Sequence, residues 1–535
     1  MATGLEPTDR TPAESGEHER FLAAGAIAQQ VSQVLGTLTM LAVVTVLGRT
    51  LSLPEFGTYG LLVSFTVYLL LVQGSVEGAA VRAIAMAGEQ PERDRAFSSA
   101  LVLYVGAGVL TGSVIAGGGW LVVGAIGLSH ALQADAHRAV LVLGAVSLVG
   151  WPMKAFQDVL RGAHLFVEAA AAEVVGYLAF GAGTIVLVAL DAPLWLLIGV
   201  GGTVPALIGL AAGAFVRLKR LPYGFRRRSV QASSLRELTG LSTYLFAGGA
   251  SDLVIYALDR VILGALRSAA SVGLYEGPVR AHNLIRQLQG TLVATVLPAA
   301  SRYLAQGDAR RFRDLLLRGT RYVLAATLPV SVILMVLAKP ILKVWLGAKF
   351  GAAAVALTVL VGYWLVNVNM SVGSPMLIAA GHARWLARYA WLVAALNLAL
   401  SLLLTWWLGL NGVVLGTTVA YLVLFPVYLA KLVSTLPASP RALARAAWIP
   451  TYSTAAALAA ILVAVRLLVP LHTVAAVLAV GLGGLLVYWG SFYVVWLAPG
   501  ERLLVRDTAR AAARRLTQLG RQAAARPNDS PSRLG

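Results

Sequence analysis

The chain contains no cysteine, and only 13% of its 535 residues are charged. The first absence excludes disulfides, thiol nucleophiles and thiolate metal sites. The second excludes an ordinary soluble protein, in which about 25% of residues are charged and about 45–50% are apolar. Here 58% are hydrophobic and the mean hydropathy is +0.77, an excess that lipid has to solvate. Acidic residues are scarce as well, 24 against 43 Lys and Arg, for a formal net charge of +19. In a hydrophobic chain that imbalance points to an anionic bilayer surface or an anionic substrate before nucleic acid. There is no phosphate-binding Gly-Lys-Ser/Thr loop, no His-Glu-x-x-His and no hydrophilic stretch large enough to hold a nucleotide. A membrane protein without a soluble catalytic site is expected: not an enzyme, and without a cofactor.

What is present is a series of long apolar runs. Residues 1–20 are polar, lack the apolar core and small-residue cleavage site of a signal peptide, and are expected to stay in the cytoplasm. From Phe21 to Leu497 we read fourteen stretches long enough to cross the hydrocarbon core, roughly 20 residues each. They begin near Phe21, Thr58, Phe97, Ala139, Phe166, Leu194, Leu238, Val272, Tyr322, Ala352, Trp385, Asn411, Trp448 and Val474. Positive charge supports this division, because short cytoplasmic loops carry the excess of Lys and Arg. With the N-terminus inside, the basic groups Arg82 to Arg95, Arg217 to Arg236, Arg302 to Arg321 and Arg502 to Arg533 all fall on the cytoplasmic side. Only Arg49, Arg138, Arg267, Lys339, Lys343 and Lys349 fall outside. The fold class predicted is an all-α polytopic protein of the plasma (inner) membrane, with both termini cytoplasmic.

The spans contain an internal repeat. Leu47-Gly48 followed by Phe56-Gly57-Thr58-Tyr59 returns as Leu263-Gly264 followed by Val272-Gly273-Leu274-Tyr275, at a constant spacing of 216 residues. Arg161-Gly162-Ala163-His164 is echoed by Ala380-Gly381-His382-Ala383. Six helices per copy is an even number, so the copies share an orientation and should be related by a pseudo-twofold along the membrane normal. The predicted organisation is a cytoplasmic tail (1–20), an N-lobe of six helices (21–217), a basic linker (218–235), a C-lobe of six helices (236–436), two accessory helices (437–499) and a basic cytoplasmic tail (500–535). The linker's Arg226-Arg227-Arg228 reads as a topology anchor. The final tail, with Arg502, Arg506 and Arg510 one helical turn apart, reads as a basic helix on the inner leaflet or as disordered chain.

Charged side chains at bilayer depth cost about 2.5–3.5 kcal/mol each on insertion scales and normally face protein or a wet cavity. Here they fall in stripes. Glu276, Arg280, Asn283 and Gln287 share one face of the eighth span, beside Tyr275, His282, Arg286 and Gln289. Asp252, Tyr256 and Asp259 share a face of the seventh, with Arg260 adjacent. The first half offers Gln29, Gln30, Gln33, Gln73, Glu77, and the Lys154, Asp158, Arg161 face of the fourth span. Pro152 and Pro375 are expected to kink or hinge spans four and ten, and Asn367, Asn369, Ser371 and Ser374 make span ten polar near its break. Local ion pairs, Glu276 with Arg280 and Asp259 with Arg260, are one reading of these charges. Arg286 has no acid three or four residues away, and a wet vestibule with a positive wall formed by Arg280, Arg286 and Lys154 is the other.

Leu47-Gly48-Arg49-Thr50-Leu51 leading into Glu55-Phe56-Gly57-Thr58-Tyr59 resembles the turn between helices one and two of polysaccharide flippases. Leu258 to Gly264 running into Val272-Gly273-Leu274-Tyr275 resembles their turn between helices seven and eight, and Gly409 to Thr417 the start of their twelfth helix. The resemblance, over nearly all of residues 21–436, implies a member of the multidrug, oligosaccharidyl-lipid and polysaccharide exporter superfamily, in the O-antigen and capsule flippase branch. It implies two lobes in a V around a central cavity, and as cargo a polyprenyl-diphosphate-linked oligosaccharide carried to the outer leaflet for polymerisation or transfer by a glycan polymerase or ligase. Arg280, Arg286 and Lys154 would then neutralise the diphosphate, with Asn283, Gln287, Gln73 and Gln33 in the cavity beside the sugars. Sodium or proton coupling through Asp252, Asp259, Glu276, Glu77 or Asp158 stays open, as do a lipid II-type flippase, a multidrug or cation antiporter, a scramblase and a structural membrane subunit. No nucleic-acid partner is expected; membrane lipids are.

Overall fold

The computed structural model describes residues 12–503, 505–507 and 510, without the side chains of 12–23, 66–71, 244–245 and 247–257. Residues 1–11 of the expected N-terminal tail and most of the basic C-terminal tail lie outside these residues, while residues 12–20 of the expected tail form the start of the first helix. Every regular element among the described residues is helical. In chain order these are α1 (Pro12–Thr50), α2 (Leu53–Met86), α3 (Gln90–Ala125), α4 (His130–Gly162), α5 (Phe166–Ala189), α6 (Leu194–Gly202) and α7 (Val204–Leu218). Past the linker come α8 (Ala232–Leu266), α9 (Ala269–Val293), α10 (Val296–Ala305), α11 (Ala309–Val336), α12 (Ala338–Leu346), α13 (Ala354–Gly362), α14 (Trp364–Asn367) and α15 (Gly373–Ala379). The series closes with α16 (Ala383–Leu408), α17 (Leu410–Thr435), α18 (Pro440–Leu443), α19 (Ile449–Leu468) and α20 (Val474–Val495).

Ten of the described helical segments are long and apolar enough to span a membrane, or eleven if α6 and α7, bent by 43° around Thr203, form one span. The break between them is local: Pro205 lacks an amide hydrogen, and the Thr203 hydroxyl caps the Val200 carbonyl at 2.7 Å. Among the described residues α9 is not in that set; it carries Glu276, Arg280 and Arg286 within 25 residues. The fold is therefore an all-helical polytopic bundle. Its outer surface exposes apolar side chains such as Leu467, Leu468, Leu482 and Leu486, which need hydrocarbon around them.

Chain punctuation follows familiar local chemistry. Ser52 and Glu55 form a reciprocal capping box at the start of α2, with the Ser52 amide donating to the Glu55 carboxylate at 2.8 Å. Gly409, at φ 59°, lets α16 turn directly into α17. These two helices then pack closely because Gly412 and Gly416 present no side chain to the backbone around Leu404 and Ser401. Pro152 lies inside α4, which stays helical from His130 to Gly162. The helix around Pro375 is broken, into α14, a short 3-10 turn at Val368–Met370, and α15.

The repeat seen in the sequence reappears as a contact. α2 packs against both α8 and α9. A Cβ on Gly57 would overlap the Ala269 carbonyl oxygen and lie 2.7 Å from the Gly273 nitrogen, and a Cβ on Gly273 would overlap the Leu53 carbonyl oxygen. Leu53 and Ala269 stand at the same 216-residue spacing as Gly57 and Gly273. The contact is thus reciprocal between the two copies of the sequence repeat. Gly60 follows the pattern, lying directly against its counterpart in the repeat, Glu276.

After α20 the chain folds back on α11. Arg321 and Tyr322 both hold the Glu501 carboxylate, Tyr322 at 2.7 Å, and the Ala498 amide donates to it at 3.0 Å. Burial alone would raise the Glu501 pKa; these donors outweigh it and hold it below the usual 4.5. A carboxyl depressed in the folded state stabilises fully above its unfolded value, and that contribution is lost as pH falls through the folded value. We predict that proteolysis after Arg502 stays slow above pH 4.5 and accelerates as the pH falls below it. Unchanged cleavage down to pH 3 would remove Glu501 from the anchor.

Candidate functional site

Three features at membrane depth gather the residues singled out in the sequence. The first is a polar cluster on α4. Lys154, Asp158 and Arg161 lie on one face of the helix as their spacing requires. Buried Lys154 contacts Glu77 of α2 at 2.9 Å and Asp158 at 3.2 Å. Arg161 pairs with Glu77 and, at 2.6 Å, with Glu173 of α5. Glu173 also accepts from Ser32 at 2.7 Å, Gln29 at 3.0 Å and Gln157 at 2.7 Å, while the Tyr104 hydroxyl donates to Asp158. Three carboxylates thus meet two cations. Lys154, grouped by the sequence with the cavity arginines, has its charge taken up by two acids. Glu77 is far away in the chain; its convergence with the Lys154, Asp158 and Arg161 face is expected if the two copies pack alike, but local spacing does not assign the pair. Glu173, the hub of the cluster, carried no signal in its run of alanines. Gln73 is buried one turn before Glu77, whereas Gln33 is exposed on α1.

The second feature is a buried triad between α8 and α9. Glu276, 1% exposed, receives Arg260 at 2.5 Å through one oxygen and Arg280 at 3.2 Å through the other. The expected Glu276–Arg280 pair is present. The expected Asp259–Arg260 pair is replaced: Arg260 reaches across to α9, and Asp259 accepts instead from the Tyr275 hydroxyl at 2.7 Å. Adjacent residues on a helix point about 100° apart, which favours partners on the neighbouring helix. The side chain of Asp252 lies outside the described residues.

The third feature is a pocket of about 550 Å³ between α1, α9, α11, α12 and α20. Its wall is apolar, including Leu41, Leu284, Ile333, Ile341, Leu478 and Leu482, and two guanidinium groups enter it, Arg49 and Arg280. Arg280 spends only one nitrogen on Glu276, and its buried Nε has no hydrogen-bond partner among the described residues. At the far end α1 is fastened to α12. Arg49 donates to the Val344 and Trp345 carbonyls at 2.7 and 3.0 Å, and the Trp345 indole donates to the Thr45 hydroxyl at 2.7 Å. A cation on the last-turn carbonyls of a helix is favourably placed.

Asn283, Arg286 and Gln287 lie further along α9 and do not line this pocket. Arg286 and Asn283 are half-buried, and Gln287 is exposed and accepts from Thr37 of α1 at 3.2 Å. His282 is buried among Tyr363 and Trp364, accepting from the Trp364 indole at 3.2 Å. The polar residues of the broken span tie it to its neighbours: Asn369 to Tyr452 at 2.8 Å, Ser374 to Tyr428 at 3.1 Å, and Ser371 to Gln289.

An all-helical bundle with ion clusters in its interior and at least ten helices able to cross a membrane belongs to the class of polytopic membrane proteins. The sequence pattern of the polysaccharide biosynthesis protein family matches residues 46–355, and the chain belongs to that family. It is 22% identical over 396 residues to the uncharacterized membrane protein EpsK of Bacillus subtilis (strain 168), covering 72% of this chain and 78% of that protein. The fold is similar to that of the lipid II flippase MurJ in an inward closed conformation, with a TM-score of 0.65 and 16% identity over 88% of this chain and 98% of the other. It is also similar to an inward-facing multidrug resistance MATE family transporter of the MOP superfamily, at a TM-score of 0.63 and 15% identity, covering 75% and 95%.

Proposed function

We propose that this protein is a flippase that moves a polyprenyl-diphosphate-linked oligosaccharide from the inner to the outer leaflet by alternating access, for cell-surface polysaccharide biosynthesis. The observation that carries the reading is Arg280, a part-exposed guanidinium that stands at the wall of an apolar pocket and gives only one nitrogen to Glu276. An ionised diphosphate on a prenyl chain requires both halves of that environment: charge-assisted donors for the head and hydrocarbon contact for the tail. Membership of the polysaccharide biosynthesis family supports the same cargo.

In this reading the chain crosses the membrane fourteen times with both termini cytoplasmic. Residues 21–217 and 236–436 form two six-helix lobes, joined by the linker 218–235 and flanked by the accessory helices of 437–499. The reciprocal Gly57–Gly273 contact supports a pseudo-twofold between the lobes. Contacts at Gly57–Gly273 and at Arg49–α12 hold the outer ends of the lobes together, so cargo loads from the inner side. Rocking of the lobes would open the outer side, and an inside-negative potential favours outward movement of each negative charge by about 2.3 kcal/mol per 100 mV. Arg286, Asn283 and Gln287 continue the polar face of α9 toward the sugars. We assign ion coupling by protons or sodium to the cluster of Glu77, Asp158 and Glu173, where carboxylates outnumber cations. A glycan polymerase or ligase would receive the product.

The test is reconstitution in liposomes with a fluorescent polyprenyl-diphosphate disaccharide, reading the label exposed to a membrane-impermeant quencher. Arg280→Gln leaves Glu276 paired with Arg260, so folding is retained while the head-group donor is lost. Flipping is expected to slow by about tenfold or more. An unchanged rate in a normally folded Arg280→Gln protein would defeat the proposal and favour a scramblase; extrusion of a cationic dye without flipping would favour an antiporter. The likeness to MurJ supports a second reading, a lipid II-type precursor with the same carrier and a different sugar. Competition between the two carriers at equal concentration separates them.

A further inference from the structure

A second pocket, of about 240 Å³, lies where the C-terminal end of α2, the first turns of α3 and the first turns of α8 converge. It is walled by Arg82, Arg95, Glu92, Glu237, Ser99 and Ser234, with Met86, Leu238 and Leu241 as its apolar side. Among the described residues neither Arg82 nor Arg95 has an ion-pair partner, although two acids border the same cleft. Glu92 instead accepts from the Gly88 amide at 2.9 Å. Ser99 is fully buried at the pocket edge and its hydroxyl is unpartnered, and Gln231, the N-cap of α8, makes no side-chain cap to the amides of the first turn. The site therefore holds donors for an anion, two carboxylates able to receive a cation, and an apolar flank, all at one end of the membrane-spanning helices.

We propose that this pocket binds the head group of a zwitterionic phospholipid carrying a primary ammonium, of the phosphatidylethanolamine type, from the leaflet facing the linker. Arg82 and Arg95 take the phosphodiester through charge-assisted hydrogen bonds. Glu237 and Glu92 take the ammonium, and the acyl chains leave along Met86, Leu238 and Leu241. Two arginines balanced by two acids match a head group of zero net charge, not an anionic one. The lipid would bridge α2 and α3 to α8 and so hold the first half of the chain against the second at this end. The leaflet follows from the topology proposed above, but the binding does not depend on the cargo.

The test is native mass spectrometry of the full-length protein released from nanodiscs containing phosphatidylcholine with equal minor fractions of phosphatidylethanolamine and phosphatidylglycerol. One retained phosphatidylethanolamine is expected, falling about tenfold in Arg82→Gln plus Arg95→Gln. That variant removes no ion pair and should melt with the parent in pure phosphatidylcholine. Arg227→Gln plus Arg228→Gln, on the neighbouring linker, should leave retention unchanged. Soluble phosphoethanolamine at matched concentration should neither displace the lipid nor raise the melting temperature. Equal retention of phosphatidylglycerol, undiminished retention in the Arg82/Arg95 variant, loss in the linker variant, or full replacement by soluble phosphoethanolamine would each overturn the assignment.

Discussion

Glu276→Gln is expected to destabilise the protein by about 3 kcal/mol, although it changes neither the length nor the shape of the side chain. Glu276 neutralises two guanidinium groups at once, and one of them, Arg260, is 5% exposed with no other acid bound to it. Asp259, the nearest acid in the chain, is turned to Tyr275. Removing the shared carboxylate leaves Arg260 charged in a low-dielectric interior, and such an uncompensated charge costs far more than a surface pair is worth. The melting temperature in mild detergent should fall by roughly 3 °C. Arg260→Gln combined with Glu276→Gln removes charges of both signs and should recover more than half of the loss, so the two changes should be strongly non-additive. If Glu276→Gln melts with the parent, the triad is not what joins α8 to α9.

What the sequence revealed of this arrangement was decided by range. The eighth span's charged stripe was legible because helix periodicity places Glu276 and Arg280 together without any tertiary information. The repeat was legible because Phe56-Gly57-Thr58-Tyr59 and Val272-Gly273-Leu274-Tyr275 kept their spacing. Partners on other helices were not. The pairing of Lys154 with Glu77, the capture of Arg161 by Glu173, and the turn of Arg260 toward Glu276 all depend on which helices become neighbours. Arg49 was visible only as a charge on the outer side; its contacts to the Val344 and Trp345 carbonyls require the end of α12 to arrive beside it. Backbone carbonyls carry no residue signature, so a sequence cannot advertise a cap supplied by a distant helix. The pocket on α9 combines both cases, since Arg280 comes from a legible stripe while Leu478 and Leu482 come from α20, far along the chain.

Gly57→Ala is the other substitution expected to have a large effect, and here the added atom is the cause. Nothing in the side-chain packing can yield, because the obstacle is the Ala269 carbonyl and the Gly273 amide, both backbone. Overpacking a core commonly costs about 1–3 kcal/mol where neighbouring side chains can shift. Against backbone, α2 and α9 themselves must separate, so the upper part of that range is expected. Because the contact is reciprocal, Gly273→Ala should behave alike, its Cβ meeting the Leu53 carbonyl. Gly74 of α2 and Gly290 of α9 have nothing among the described residues within 4 Å of the added atom, and alanine at either should be tolerated. Helix propensity sharpens the contrast, since alanine favours a helix over glycine by about 1 kcal/mol. A protein limited only by propensity would be stabilised at all four positions. The measurement is thermal melting of the four variants, with flipping rates alongside. Loss of both stability and transport in Gly57→Ala and Gly273→Ala, but not in the other two, is the expected pattern. If Gly57→Ala melts at or above the parent temperature, the helices do not approach as described and the reciprocal contact between the repeats loses its physical basis.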